Sequence, residues 1–241
     1  MSAPVYQVAE LSKARVQAGS GFALSVPELT IRPGERVALV GDSGCGKSTL
    51  LDMLGLASSP DGAGRFTFCP RGAPSDIPSL WRDGRSNDLG DLRKHHIGYV
   101  LQTGGLIPYL TVRQNIDLTR RLLDLPDDGT ADALAERLGL AGHGAKLPAA
   151  LSVGERQRVA IGRALAHRPP VILADEPTAS LDPETAKTVM ALFLDLVEAE
   201  GATLIVATHD RAQVGRLGLR ALGHDLARDP AAGLTRARFW G

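Results

Sequence analysis

Cysteine is nearly absent: 241 residues contain two, Cys45 and Cys69. Two thiols cannot form a disulfide framework, and neither stands at a metal-ligand spacing. Charge of one sign is missing too, since 27 Lys and Arg balance 27 Asp and Glu. A neutral chain argues against broad nucleic-acid binding as its main task. No stretch approaches the ~18–20 consecutive apolar residues of a membrane span. No basic segment followed by an apolar one stands near Met1, so no signal peptide is expected. The expectation is a cytoplasmic chain made in a reducing compartment, reaching the inner face of a membrane only through a partner. What the chain does have is 44% hydrophobic residues, which implies a packed core rather than disorder. Its length suits one large domain, or one domain with a subdomain.

The most informative segment is the run Gly41, Asp42, Ser43, Gly44, Cys45, Gly46, Lys47, Ser48, Thr49. It fits G-x-x-x-x-G-K-[ST], the phosphate-binding P-loop. An apolar strand-like stretch, residues 36–40, precedes it, and residues 50–54 read as the start of a helix. The glycines let the backbone fold into a nest whose amides, with the helix N-terminus, point positive charge at phosphate. Lys47 is then expected at the β- and γ-phosphates and the Ser48 hydroxyl at Mg²⁺. Cys45 reads as a small side chain within this loop.

Strand-like stretches fall at residues 5–9, 22–31, 64–68 and 97–101, with a turn at Pro33-Gly34. Residues 69–90, rich in Pro, Gly, Asp and Ser, read as a long surface loop. Residues 111–140 turn helical, with a break near Pro126–Gly129. Ser152 and Glu155 have the spacing of a capping box for a helix running to about His167. Pro183 marks another helix start, and Gly201 its end. Residues 171–174 and 202–207 read as buried strands. Alternating strands and helices imply an α/β core. Residues 111–168 read as an inserted helical subdomain within one domain spanning residues 1–241. The tail after Leu217 has little pattern.

The strand at residues 171–174 ends in Asp175-Glu176. A buried parallel strand would carry both acids to the C-terminal edge of its sheet, where a P-loop also lies. Two adjacent carboxylates there call for a cation. Asp175 is expected to hold Mg²⁺, directly or through water, and Glu176 to polarise the attacking water.

With these residues placed, the chain resembles the ABC-type ATPases. Leu151-Ser152-Val153-Gly154-Glu155-Arg156-Gln157-Arg158 is similar to the family's LSGGQ signature. Gln102 resembles the Q-loop glutamine, Ser180-Leu181-Asp182 the D-loop, and His209 the switch histidine. The resemblance covers about residues 5–215. It implies a RecA-like P-loop core with an antiparallel β-subdomain and an α-helical subdomain bearing the signature. It also implies ATP and Mg²⁺ as ligands, and a head-to-tail homodimer with ATP between one P-loop and the other subunit's signature. Ser152, Gly154 and Glu155 would address the γ-phosphate with Asp182 near them. Glu176, His209 and Gln102 would serve catalysis, and Ser48, Gln102 and Asp175 the metal.

The chain departs from the family at two places. Val153 replaces the first signature glycine, and a non-glycine residue there holds φ negative. The usual adenine-stacking aromatic is missing from residues 14–18, leaving Arg15 or Phe22 as the stacking group. The segments at residues 91–100 and 105–112 resemble the branch serving lipoprotein release, macrolide-type efflux and cell-division permeases. The implied partners are integral-membrane permease subunits, and no nucleic acid is expected. Apolar Leu106 and Ile107 are expected in a permease-docking surface or packed within the subdomain. Two rivals to transport stand: a regulatory switch on a non-transporting permease that controls an envelope process, and a module that binds ATP without hydrolysing it.

Overall fold

The computed structural model describes residues 3–17, 20–229 and 233–241. In chain order it holds β1 (Tyr6–Gln17), β2 (Ser20–Ile31), β3 (Arg36–Val40), α1 (Lys47–Leu54), β4 (Arg65–Phe68), β5 (Ser75–Asp76), α2 (Ile77–Arg82) and α3 (Ser86–His96). Then follow β6 (Ile97–Val100), α4 (Val112–Leu122), α5 (Thr130–Arg137), α6 (Val153–Leu165), β7 (Val171–Asp175), α7 (Pro183–Ala199), β8 (Thr203–Thr208), α8 (Arg211–Arg216), β9 (Arg220–Ala221), β10 (Gly223–Asp229) and β11 (Leu234–Trp240). The chain divides into two compact units, residues 1–91 with 205–241, and residues 92–204. No helix among the described residues is long and apolar enough to cross a membrane.

The first unit is built on a six-stranded sheet of order β10-β11-β2-β1-β4-β5. Its spine is the long β1–β2 hairpin, in register from Tyr6 opposite Ile31 to Gln17 opposite Ser20. Tyr6 and Val8 of β1 and Leu29 and Ile31 of β2 point into the core, and beyond the positive-φ Glu10 the pattern resumes one residue out of phase with Leu11, Leu24 and Val26. The Tyr6 ring stacks on Phe68 at 4.9 Å, and its hydroxyl donates to the Leu54 carbonyl at 2.8 Å. That bond satisfies the one polar atom of a fully buried ring and ties β1 to the end of α1. Burial pushes the Tyr6 phenol well above its ordinary range, so it stays a neutral donor. In the same unit β3 pairs in parallel with β9.

The second unit pairs β6 in parallel with β7, from Ile97 opposite Val171 to Val100 opposite Ala174. Val171, Ile172, Leu173 and Ala174 are all fully buried, as suits a strand covered on both faces. The apolar face of α6 (Val159, Ala160, Ile161, Ala164, Leu165) is buried. The helix α4 packs against it through Ile116, which lies against Gly162.

Two segments differ from the sequence reading. Residues 69–90 hold β5, α2 and the start of α3 instead of a long loop. Pro78 lies in the first turn of α2, where its missing N–H and fixed φ suit a helix start. Ile77, Leu80 and Leu89 are buried and anchor the segment. The tail after Leu217 forms β9, β10 and β11. Within it β10 pairs antiparallel with β11, while β11 runs parallel to β2 at long range, Leu234 opposite Gly21.

Candidate functional site

In the first unit, the chain leaves β3 at Val40 and turns through residues 41–46 into α1. Gly44 and Gly46 have φ of +79° and +97°, a region L side chains rarely adopt. A Cβ on Gly46 would also stand 2.6 Å from Phe22 Cζ, so the Phe22 ring closes directly over the loop. The first turn of α1 has no side-chain cap. The helix dipole favours negative charge at this end. Asp42, Ser43, Gly44 and Ser48 are exposed, whereas Cys45 and Thr49 point inward. The Lys47 ammonium is buried and donates to the Gly41 and Asp42 carbonyls at 2.8 and 3.0 Å.

Cys45 is fully buried as a free thiol, its Sγ 2.6 Å from where a Gly41 Cβ would stand. His224 of β10 approaches the same point at 3.2 Å. That imidazole packs on Phe239 at 4.9 Å, and burial and Arg211 lower its pKa. The Thr208 carbonyl at the end of β8 accepts the Gly41 N–H at 3.3 Å, which places exposed His209 one residue beyond a contact with the loop. Asp210 then caps α8 by accepting from Gln213 N–H at 2.8 Å. On the hairpin, exposed Arg15 stands opposite Phe22. Ala18, the end of the segment considered for adenine, lies outside the described residues.

In the second unit, β7 delivers Asp175 and Glu176 half-buried at its end. Asp175 Oδ1 is buried with no hydrogen-bond partner. A buried carboxylate oxygen left unpaired is unfavourable, and a hard divalent cation is the partner that suits it. The next residue, Glu176, has φ of +43°, a strained angle for a non-glycine side chain. Asp182 is exposed and caps α7, accepting from Thr185 N–H at 3.0 Å. The Thr185 hydroxyl and that amide hold the Asp182 carboxyl below its usual range.

The head of α6 in this unit is a reciprocal capping box. Ser152 Oγ accepts from Glu155 N–H at 3.2 Å, and Glu155 Oε2 accepts from Ser152 N–H at 2.7 Å. Val153 is 45% exposed and avoids positive φ. Gln102 is exposed on the turn after β6. The segment after it is pinned by residues the sequence reading did not single out. Arg163 donates to the Gly105 and Gly104 carbonyls at 2.8 and 2.9 Å. Asn115, fully buried, donates to the Ile107, Leu110 and Thr111 carbonyls at 3.1, 2.9 and 3.1 Å and accepts from Ile107 N–H at 2.9 Å. Leu106 and Ile107 are consequently half-buried, and Tyr109, 76% exposed, is the apolar group the segment presents. A lone Asn or Arg at helical spacing carries no sequence signal of such pinning.

A P-loop in one unit, and in the other an acid-ended strand and a helix headed by a capping box, are the marks of an ATP-binding cassette. The ABC transporter family model matches residues 24–179, and the chain belongs to that family. It is similar to the lipoprotein-releasing system ATP-binding protein LolD of Maricaulis maris (strain MCS10). The two are 42% identical over 209 residues, 83% of this chain and 85% of that protein. It is 38% identical to the macrolide export ATP-binding/permease protein MacB of Sodalis glossinidius (strain morsitans), over 88% of this chain and 32% of that longer protein. A solved dimer of a bacterial ABC transporter cassette matches with a TM-score of 0.74 and 30% identity, over 90% of this chain and 93% of that one. A dimeric post-hydrolysis cassette bound to ADP and Pi matches with a TM-score of 0.72 and 29% identity, over 95% of both. The fold is the RecA-like α/β ABC cassette, the chain is an ATPase, and its branch is that of lipoprotein release and macrolide efflux.

Proposed function

We propose that the chain works as a head-to-tail homodimer that closes on ATP and drives a membrane permease of the release or efflux type from the cytoplasmic face. The relatives' names associate this branch with lipoprotein release and macrolide export. The observation that carries the catalytic part is the end of β7, where the unpartnered Asp175 Oδ1 is followed by the strained Glu176. Asp175, Ser48 and Gln102 would hold Mg²⁺, which when bound supplies charge neutralisation for phosphoryl transfer.

The chain's own residues do the rest. The amides of residues 41–46 and Lys47 bind the phosphates. Glu176 orients and deprotonates the attacking water, and His209 contacts the γ-phosphate. Ser152 and Gly154 of one subunit would address the ATP held by the other, with Glu155 and Asp182 shaping that end. Arg15 or Phe22 would contact the base, and residues 111–168 would form the helical subdomain that carries the signature.

The test is to express the full chain with the membrane subunit that co-purifies with it and measure Mg²⁺-dependent phosphate release in liposomes. Turnover stimulated by that subunit supports the reading, and turnover indifferent to any membrane subunit removes it. Stimulated turnover with no substrate moved favours the regulatory switch.

A further inference from the structure

His143 lies in the loop between α5 and α6, outside every motif described above. Both of its ring nitrogens face oxygen acceptors. Nδ1 is 3.0 Å from the Ala141 carbonyl, and Nε2 is 3.1 Å from Glu155 Oε1. A neutral imidazole carries one N–H and can satisfy one of these; the imidazolium carries two and satisfies both. The other Glu155 oxygen accepts from Ser152 N–H at 2.7 Å, and Ser152 Oγ accepts from Glu155 N–H at 3.2 Å. His143, Glu155 and Ser152 thus form one chain of hydrogen bonds ending at the hydroxyl that heads α6. The His143 and Glu155 side chains are 23% and 22% exposed, so solvent only partly screens their attraction.

A carboxylate at the head of α6 suits the helix dipole but opposes an incoming triphosphate. The His143 ring beside it fixes which way each carboxylate oxygen points. We propose that His143 is a positioning residue that holds Glu155 and Ser152 in the geometry the signature helix uses toward nucleotide. The proposal rests on the reading of α6 as the phosphate-facing signature.

The charged groups around the loop are few. Glu155 faces it from α6, and Lys146 adds positive charge near Glu155 from the loop itself. From α4, Arg113 N–H donates to the Gly144 carbonyl, while its guanidinium is held by Asp127 and Asp132. From α6, Arg158 donates to the Leu138 and Gly139 carbonyls. Glu155 is therefore the acidic partner of the His143 ring.

The experiment measures steady-state ATP turnover of the full chain together with hydrogen exchange of the Ser152 and Glu155 amides. His143→Ala is expected to lower kcat/KM about three- to tenfold, the scale of one lost hydrogen bond, and to speed exchange at both amides. His143→Arg, which keeps N–H donors for Glu155, is expected to restore both. An Arg variant no better than Ala overturns the proposal. So does exchange at Ser152 and Glu155 that His143→Ala leaves unchanged. If Gly154→Asp abolishes turnover while His143→Ala changes nothing, the proposal alone fails. If Gly154→Asp also leaves turnover intact, the signature reading fails and the proposal with it.

Discussion

The Lys47 ammonium donates to the Gly41 carbonyl at 2.8 Å, six residues back along its own loop. The loop and its lysine thus pre-form one unit, with the positive charge held where phosphate is expected. Lys47→Ala removes that charge and should lower ATP turnover by roughly 10²–10³-fold, the scale of losing one transition-state donor. The sheet beneath is untouched, so the melting curve should stay near wild type. Phosphate release and a thermal scan on the same preparation check both halves.

Val153 and Gly154 should differ sharply. Val153 is exposed in the first turn of α6 with an ordinary φ, so Val153→Gly should change turnover by no more than several-fold. It should destabilise the helix start by about 0.5–1 kcal/mol. A Cβ on Gly154 would stand 3.0 Å from Thr185 Cγ2. Gly154→Asp adds both that crowding and a carboxylate near phosphate, and should abolish turnover. Comparing kcat/KM for the two variants is the check; equal sensitivity would mean that α6 meets the nucleotide in a different register.

The capping box at Ser152 and Glu155 and the Pro183 helix start were legible because each is written within four residues. The P-loop was legible because its whole pattern stands in one unbroken run, residues 41–48. The segment at residues 69–90 was not, because Pro70, Gly72, Pro74 and Gly84 mask a short helix that three buried apolar residues hold in place. In the tail β9 and β11 were hidden because their partners β3 and β2 stand at the other end of the chain, and β10 adds on to β11. The strained φ of Glu176 and the pinning of residues 104–111 by Asn115 and Arg163 are products of packing, and no local pattern announces them.

Asn115 is expected to hold the segment that follows Gln102. Asn115→Ala takes the side-chain partner from the Leu110 carbonyl and the Ile107 N–H, while the Ile107 and Thr111 carbonyls keep backbone donors, at a stability cost of about 1–3 kcal/mol. Hydrogen exchange should rise most at residues 104–111. Stimulation of turnover by the co-purifying membrane subunit should fall, because Tyr109 is no longer presented in a fixed place.

His167 gives a pH signature. Burial lowers its pKa from 6.5 to about 4, so the folded chain keeps it neutral while the unfolded chain protonates it between those values. Its stabilising effect is complete above pH ~6.5 and is lost as pH falls toward about 4, since the unfolded state binds the extra proton. The urea midpoint should fall across that window, and His167→Gln should flatten the dependence.

Glu176 stands at the centre of the account, half-buried after β7 with a φ of +43°. Glu176→Gln keeps the shape and removes the base. The most direct measurement is single-turnover hydrolysis of Mg²⁺-ATP by this variant, run beside size-exclusion chromatography of the same sample. The account predicts that ATP still binds, that hydrolysis falls by at least ~10²-fold, and that an ATP-bound dimer accumulates. Hydrolysis at near wild-type rate would contradict it.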